Sequence, residues 1–243
     1  MMILKERSAR LYIAAIFLIG LIAACGKNDS APTNPDDNNN GDTYDVDTNG
    51  TPRFVDTDYI ELAKIARISK FRSSAGHDYS DEFESCRSMK HYFQPKGDID
   101  WSGISIFSPV SGAVSRIFDE WAGTQVQIRS ADYPAFHFMI FHINLSDSLA
   151  VGESISAGQL LGHHIGSQTM SDIAVGVNTP RGWKLISYFN LMTDGLFAAY
   201  QARGVIAGDN LIISREARDA DTLTCDGDLF LNQGNLENWV TLN

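Results

Sequence analysis

Phe136-His137-Phe138-Met139-Ile140-Phe141-His142-Ile143 is an apolar stretch broken only by histidines, and its reading decides the fold. Aromatic and β-branched residues at this density favour extended backbone. Just upstream, Thr124-Gln125-Val126-Gln127-Ile128-Arg129 alternates polar and apolar residues, the mark of a strand with one buried face. Ala113-Val114-Ser115-Arg116-Ile117-Phe118 and Ile104-Ser105-Ile106-Phe107 continue the pattern towards the amino terminus, and Ser108-Pro109-Val110-Ser111-Gly112 supplies the turn between them. Downstream, Gly152 and Gly158 punctuate another turn, and Asp172-Ile173-Ala174-Val175-Gly176-Val177 alternates again. Short strands at near-regular spacing predict a mainly β domain, a compact sandwich or barrel.

Helical signals lie beyond this block. Asp194 to Arg203 carries Leu196, Phe197 and Tyr200 at helical spacing and ends at Gly204. Ser214 to Asp219 opens on a capping serine. These predict a C-terminal helical extension over 183–243, following a β domain over 53–182.

The amino terminus reads differently. Lys5, Arg7 and Arg10 precede an apolar run from Leu11 to Ala24, shorter than the ~20 residues a membrane helix needs. The run ends in Leu21-Ile22-Ala23-Ala24-Cys25, which resembles a bacterial lipobox. The expectation is a signal peptide over 1–24 and a lipidated Cys25, with a plain signal peptide and an incidental cysteine as the alternative. Diacylation plus an amino-terminal acyl chain (palmitate-type lipid) gives a stable anchor. Gly26 stands where an Asp would signal inner-membrane retention, so the expected place is the cell envelope, on the outer membrane if the cell is Gram-negative. Residues 26–52 are nearly all Asn, Asp, Thr, Gly, Pro and Ser, which predicts that 25–52 is lipid anchor and disordered linker. Asp45 and Asp47 within it read as solvated spacer, with a Ca²⁺ site as the alternative.

The formal charge of −11 on 243 residues argues against nucleic acid as a partner, because phosphate binding needs clustered Lys and Arg. With Cys25 spent on lipid, Cys86 and Cys225 remain. In an exported protein two such cysteines most simply form one disulfide. The competing reading makes Cys86 a nucleophile or metal ligand beside His91.

Several pieces together point to chemistry. Ile68-Ser69-Lys70-Phe71-Arg72 is followed by Gly76-His77 and Asp81, and an imidazole and a carboxylate at this spacing can meet at one Zn²⁺. Then come Ser108-Pro109-Val110-Ser111-Gly112-Ala113-Val114, Phe141-His142, and Val151-Gly152-Glu153 through Ala157-Gly158-Gln159-Leu160-Leu161-Gly162. In that order, over roughly 68–177, the chain resembles the lysostaphin-type (LytM-like) zinc endopeptidases, apart from an insertion after Asp81. The resemblance implies a duplicated-hybrid, barrel-sandwich fold, with His77 and Asp81 as metal ligands and His142 as the catalytic imidazole. Three such ligands leave zinc a fourth position for a water whose pKa falls towards ~7.

One element departs from that pattern. Family members close with H-x-H on a strand, and here Asp172 and Ala174 stand at those two places. Alanine offers no donor. The metal set is therefore reduced to His77, Asp81 and Asp172, with His163 or His164 as substitutes if the register differs. The expectation is a degenerate peptidase-like domain, binding a cell-wall peptide, peptidoglycan or a cell-wall hydrolase, with Zn²⁺ on the reduced set as the one candidate cofactor and otherwise none. The alternative is an active zinc-dependent peptidoglycan endopeptidase with an altered ligand set. Each residue also has a bland reading: His77 and Asp81 as a loop hydrogen-bond pair, His142 as a satisfied core histidine. By its phase His137 is expected at the surface, and the segment Ser85 to Phe93 as a disulfide-pinned cap. Trp101, Trp121 and Trp183 read as core or rim residues.

Overall fold

A computed structural model describes residues 42–146 and 149–243. The signal segment, Cys25 and residues 26–41 of the linker lie outside the described residues. The architecture is mainly β and antiparallel. Its strands are β1 (Ile65–Ser69), β2 (His91–Pro95), β3 (Ser105–Phe107), β4 (Gly112–Asp119), β5 (Thr124–Ser130), β6 (Phe136–Leu145), β7 (Ser154–Ile155), β8 (Leu160–His164), β9 (Ser171–Thr179), β10 (Gly182–Ile186), β11 (Cys225–Asp226), β12 (Leu229–Phe230) and β13 (Trp239–Thr241). Short helices α1 (Val46–Asn49), α2 (Asp194–Gln201) and α3 (Arg215–Ala220) are set between them.

Eleven strands form one sheet with the path β13-β1-β2-β9-β6-β5-β4-β7; β10 adds to β9, and β8 bridges β3 and β6. Period-2 alternation gives the sheet two apolar faces. Phe136, Phe138 and Ile140 of β6 and Ile173, Val175 and Val177 of β9 enter the larger core. Met139 and Phe141, with Ala174 of β9, enter a smaller cluster completed by Phe71, Tyr79, Met89, Trp183 and Leu185.

His137 shares that second face and is fully buried, which corrects the expectation of a surface residue. Phase alone predicts exposure only when one face meets water. Here β10 folds back on β9 and lays Trp183 over His137, ring centroids 5.4 Å apart. Gly176 makes room for it, since a Cβ there would meet the Trp183 ring at 1.8 Å.

The chain ends are more integrated than their composition suggests. Within residues 42–52, read as part of the tether, Val46 is buried, Tyr44 lies edge-on to Phe136 at 5.3 Å, and Asp45 caps α1. Asp47 pairs with Arg181 and with Lys184, the latter at 2.7 Å. The expected boundary at 182/183 falls inside the β9–β10 hairpin. Within 183–243 the two expected helices form, with Thr193 and Ser214 as N-caps, yet β13 returns to pair with β1 at the sheet edge. The Cys86–Cys225 disulfide is present, joining positions 139 residues apart. Among the described residues no helix is long and apolar enough to cross a membrane.

Candidate functional site

His142 sits where β6 changes partner. Up to Ile140 the strand pairs with β9, and from Ile143 it pairs with β8. Between Thr124/Ile143 and Val126/Ile140 the register with β5 slips by one residue, a bulge that re-aims a side chain. His142 carries that slip with φ 61, a left-handed backbone that few non-glycine residues adopt. The β4–β5 turn closes over it. His142 Nδ1 donates to the Ala122 carbonyl at 2.9 Å and lies 3.2 Å from Glu120 Oε2, while its own backbone N–H donates to Glu120 at 3.3 Å. Trp121, 59% exposed, stands edge-on above the ring at 5.7 Å.

On its other side His142 Nε2 faces Asp172 Oδ1 at 3.4 Å. Asp172 is fully buried on β9, opposite Tyr92 of β2. Its second oxygen lies 2.6 Å from Lys90 Nζ, itself 2% exposed. The ammonium is ringed by π-faces: Phe141 at 4.2 Å, Tyr79 at 4.7 Å and Tyr92 at 5.1 Å. Burial alone would depress the Lys90 pKa, but the Asp172 charge with Tyr92 and Tyr79 overrides it and holds the amine above its ordinary value. His164 borders the group, and its Nδ1 accepts from the Gly166 N–H at 3.1 Å. Burial, with His142 beside it, lowers its pKa, so the neutral form is favoured.

The other expected ligands are engaged elsewhere. Asp81 Oδ1 accepts from the Phe83 and Glu84 backbone N–H groups, and Oδ2 accepts from Leu185 N–H at 2.8 Å. Burial holds that carboxyl above the usual range despite these donors. His77 Nδ1 lies 2.9 Å from the Asp78 carbonyl, and its ring is edge-on to Tyr79. Ala174 faces Met139 inside the apolar cluster. The structure therefore joins Asp172 to His142 and does not gather His77, Asp81 and Asp172 into a metal group. Among the described residues no cluster of three or more His, Cys, Asp or Glu side chains is placed to hold a metal ion. The donor set does not fit zinc: one carboxylate is spent on backbone amides, the other on an ammonium, and one position has no donor at all.

His91 is a structural residue. Nδ1 donates to the Ser69 carbonyl and Nε2 accepts from the Ser187 hydroxyl, both at 2.8 Å. Burial drives its pKa down to about 4. The Cys86 segment is pinned by the disulfide and by Arg87, which bridges Glu84 and Asp219 at 2.8 Å each. Sequence reasoning did not single out Lys90 or Glu120. Lys90 left a signal, being a lone cation between Met89 and Tyr92 at the head of an apolar strand. Glu120 left none, since hairpin tips are commonly acidic.

No family model matches the chain, and no curated protein does. Among solved structures, a LytM-type glycyl-glycine endopeptidase from Ruminococcus gnavus overlaps at 13% identity and TM-score 0.34, covering 42% of this chain and 43% of the other. The chain thus spans less than half the length of that structure. The SpoIIQ–SpoIIIAH pore-forming complex overlaps at 12% identity and TM-score 0.42, covering 63% and 99%. Lysostaphin overlaps at 15% identity and TM-score 0.30, covering 46% and 49%.

Proposed function

We propose that this chain is an envelope lipoprotein, anchored through Cys25, whose lysostaphin-type domain binds a cell-wall peptide or protein partner without cutting it. The observation that carries this reading is the Lys90–Asp172 pair, a protein cation held 2.6 Å from the carboxylate at one of the two places the family reserves for histidine. Around it, Phe141, Tyr79 and Tyr92 close what an open metal site would leave to water and substrate. With a lysine nitrogen at that carboxylate, Asp172 has no oxygen left over for a metal on that side. The exposed indole of Trp121, standing over His142, offers a flat apolar contact at the mouth of this region.

The test uses the purified full chain, dialysed against Zn²⁺ and then presented with peptidoglycan. Sub-stoichiometric zinc and an uncut substrate are the expected results, with binding of stem peptides weakened in Trp121→Ala. Stoichiometric zinc that disappears in His77→Ala would overturn the reading in favour of an active peptidase.

A further inference from the structure

We propose that Lys90 and Asp172 are joined by an intramolecular isopeptide bond, an amide between Nζ and Cγ formed by condensation with loss of water. This goes beyond the binding reading and does not depend on it. Three features of the site carry it.

The first is contact without satisfaction. Lys90 Nζ lies 2.6 Å from Asp172 Oδ2, yet both carboxylate oxygens are buried without an aligned hydrogen-bond partner. A buried ion pair is retained at low cost only when its remaining lone pairs are satisfied. An amide removes both charges and leaves one carbonyl to satisfy in place of a carboxylate. The second is exclusion of water. Phe141, Tyr79 and Tyr92 wall the amine, and both side chains are at most 2% exposed. In bulk water hydrolysis competes with condensation; in a closed site the two groups face each other at an effective concentration on the order of 10⁵ M or more. Antiparallel pairing of β2 with β9, Tyr92 opposite Asp172, fixes that approach from two strands of one sheet.

The third is an acid–base chain reaching the reacting carboxyl group. Ala122's carbonyl holds a proton on His142 Nδ1, leaving the Nε2 lone pair directed at Asp172 Oδ1 3.4 Å away. Glu120 faces the same Nδ1 at 3.2 Å. The step balances without any oxidant or co-reactant. The Lys90 ammonium gives one proton to the Asp172 carboxylate, producing an amine and a carboxylic acid. The Nζ lone pair attacks Cγ and the C–N bond forms. His142 Nε2 takes the second proton released by the nitrogen, and Glu120 balances the transient imidazolium. That proton passes to the departing oxygen, the C–O bond breaks, and one water leaves.

Mass spectrometry of the full chain decides it. After reduction, denaturation and trypsin digestion, the expected product is a linked peptide pair containing Lys90 and Asp172, lighter than the sum of the two by one water, with no cleavage after Lys90. Lys90→Arg and Asp172→Ala yield unlinked peptides. Asp172→Asn yields a link of the same mass, through loss of ammonia. In His142→Ala whose Cys86–Cys225 disulfide has formed, the link accumulates roughly a hundredfold more slowly; a wild-type rate there removes His142 from the step. Recovery of separate Lys90 and Asp172 peptides from wild-type protein with an intact disulfide overturns the bond itself, whether or not the variants fold.

Discussion

At the scale of single residues, Ala174 tests how far the site has moved from a metal centre. Its Cβ faces Met139 among Phe71, Tyr79, Phe141 and Trp183. Ala174→His forces an imidazole into a packed apolar cluster, which costs roughly 2–4 kcal/mol from overpacking and an unsatisfied ring nitrogen. The expected outcome is a lower denaturant midpoint with no gain of stoichiometric zinc, because Asp81 and Asp172 remain engaged. Tight zinc binding by this variant would show that only the histidine was lacking. Asp58 makes a second prediction at this scale. It accepts from Tyr200 Oη at 2.5 Å and from the Tyr59 N–H at 2.9 Å, and burial raises its pKa to about 6 against those hydrogen bonds. A raised carboxyl contributes stability below its unfolded value near 3.8 and loses it as pH rises through about 6. Solvent still reaches the residue, so the loss is discounted to about 1–2 kcal/mol by pH 8. Asp58→Asn should therefore gain on wild type by that amount between pH 4 and pH 8 in urea titrations, and parallel curves would contradict the assignment. His91 titrates in both proteins and cancels in the comparison, although its depressed pKa destabilises each as pH falls from 6.5 towards 4.

At the scale of elements, Asp81 is a joint between a loop and a strand. Its three backbone acceptor contacts fasten the turn at Phe83–Glu84 and tie it to Leu185 of β10. Asp81→Ala leaves those donors unmet, and a loss of about 2–3 kcal/mol in equilibrium unfolding is expected. An unchanged midpoint would free Asp81 for another role. The strands were legible from alternation, as Thr124–Arg129 and Asp172–Val177 show, because one period of two survives wherever at least one face is buried. The helices were legible from the spacing of Leu196, Phe197 and Tyr200 before Gly204 and from the capping Ser214, whereas the Thr193 cap was not read. What was not legible is non-local. Nothing in Gly182–Ile186 says that it pairs with β9, nor in Trp239–Thr241 that it completes the edge at β1. The bulge at His142 is equally silent, since the histidine reads in phase with any apolar strand. For the same reason Asp172 and His142 were individually visible as candidates, whereas Lys90, brought to them from just before β2, was not.

At the scale of the whole molecule, stability rests on clasps that close long stretches of chain. The Cys86–Cys225 bond holds the segment that carries Lys90 against the C-terminal region, next to the salt bridges of Arg87 with Glu84 and Asp219. Arg72 adds to them, its guanidinium meeting Glu84 at 2.7 Å twice. Arg203 performs a similar service at the other end, donating to the Leu62 and Ile65 carbonyls beside β1. In the chain-entropy model a cross-link between positions 139 residues apart stabilises by about 4–5 kcal/mol. The double variant Cys86→Ala/Cys225→Ala should lose much of that in equilibrium unfolding, and its opening should be local first. The reason lies in where the larger core sits: Phe136, Phe138, Ile173 and Val175 are held by the central strands and do not depend on the clasp. Loops 72–90 and 221–238 do depend on it, because they meet across the clasp through Asp78 N–H to the Asp228 carbonyl and through Ser74 to Asn238 and Gln233. Hydrogen exchange should accordingly accelerate in these two loops well before β6 and β9. Uniform acceleration across the sheet would mean that the clasp supports the central fold and not merely its cover over the Lys90–Asp172 pair.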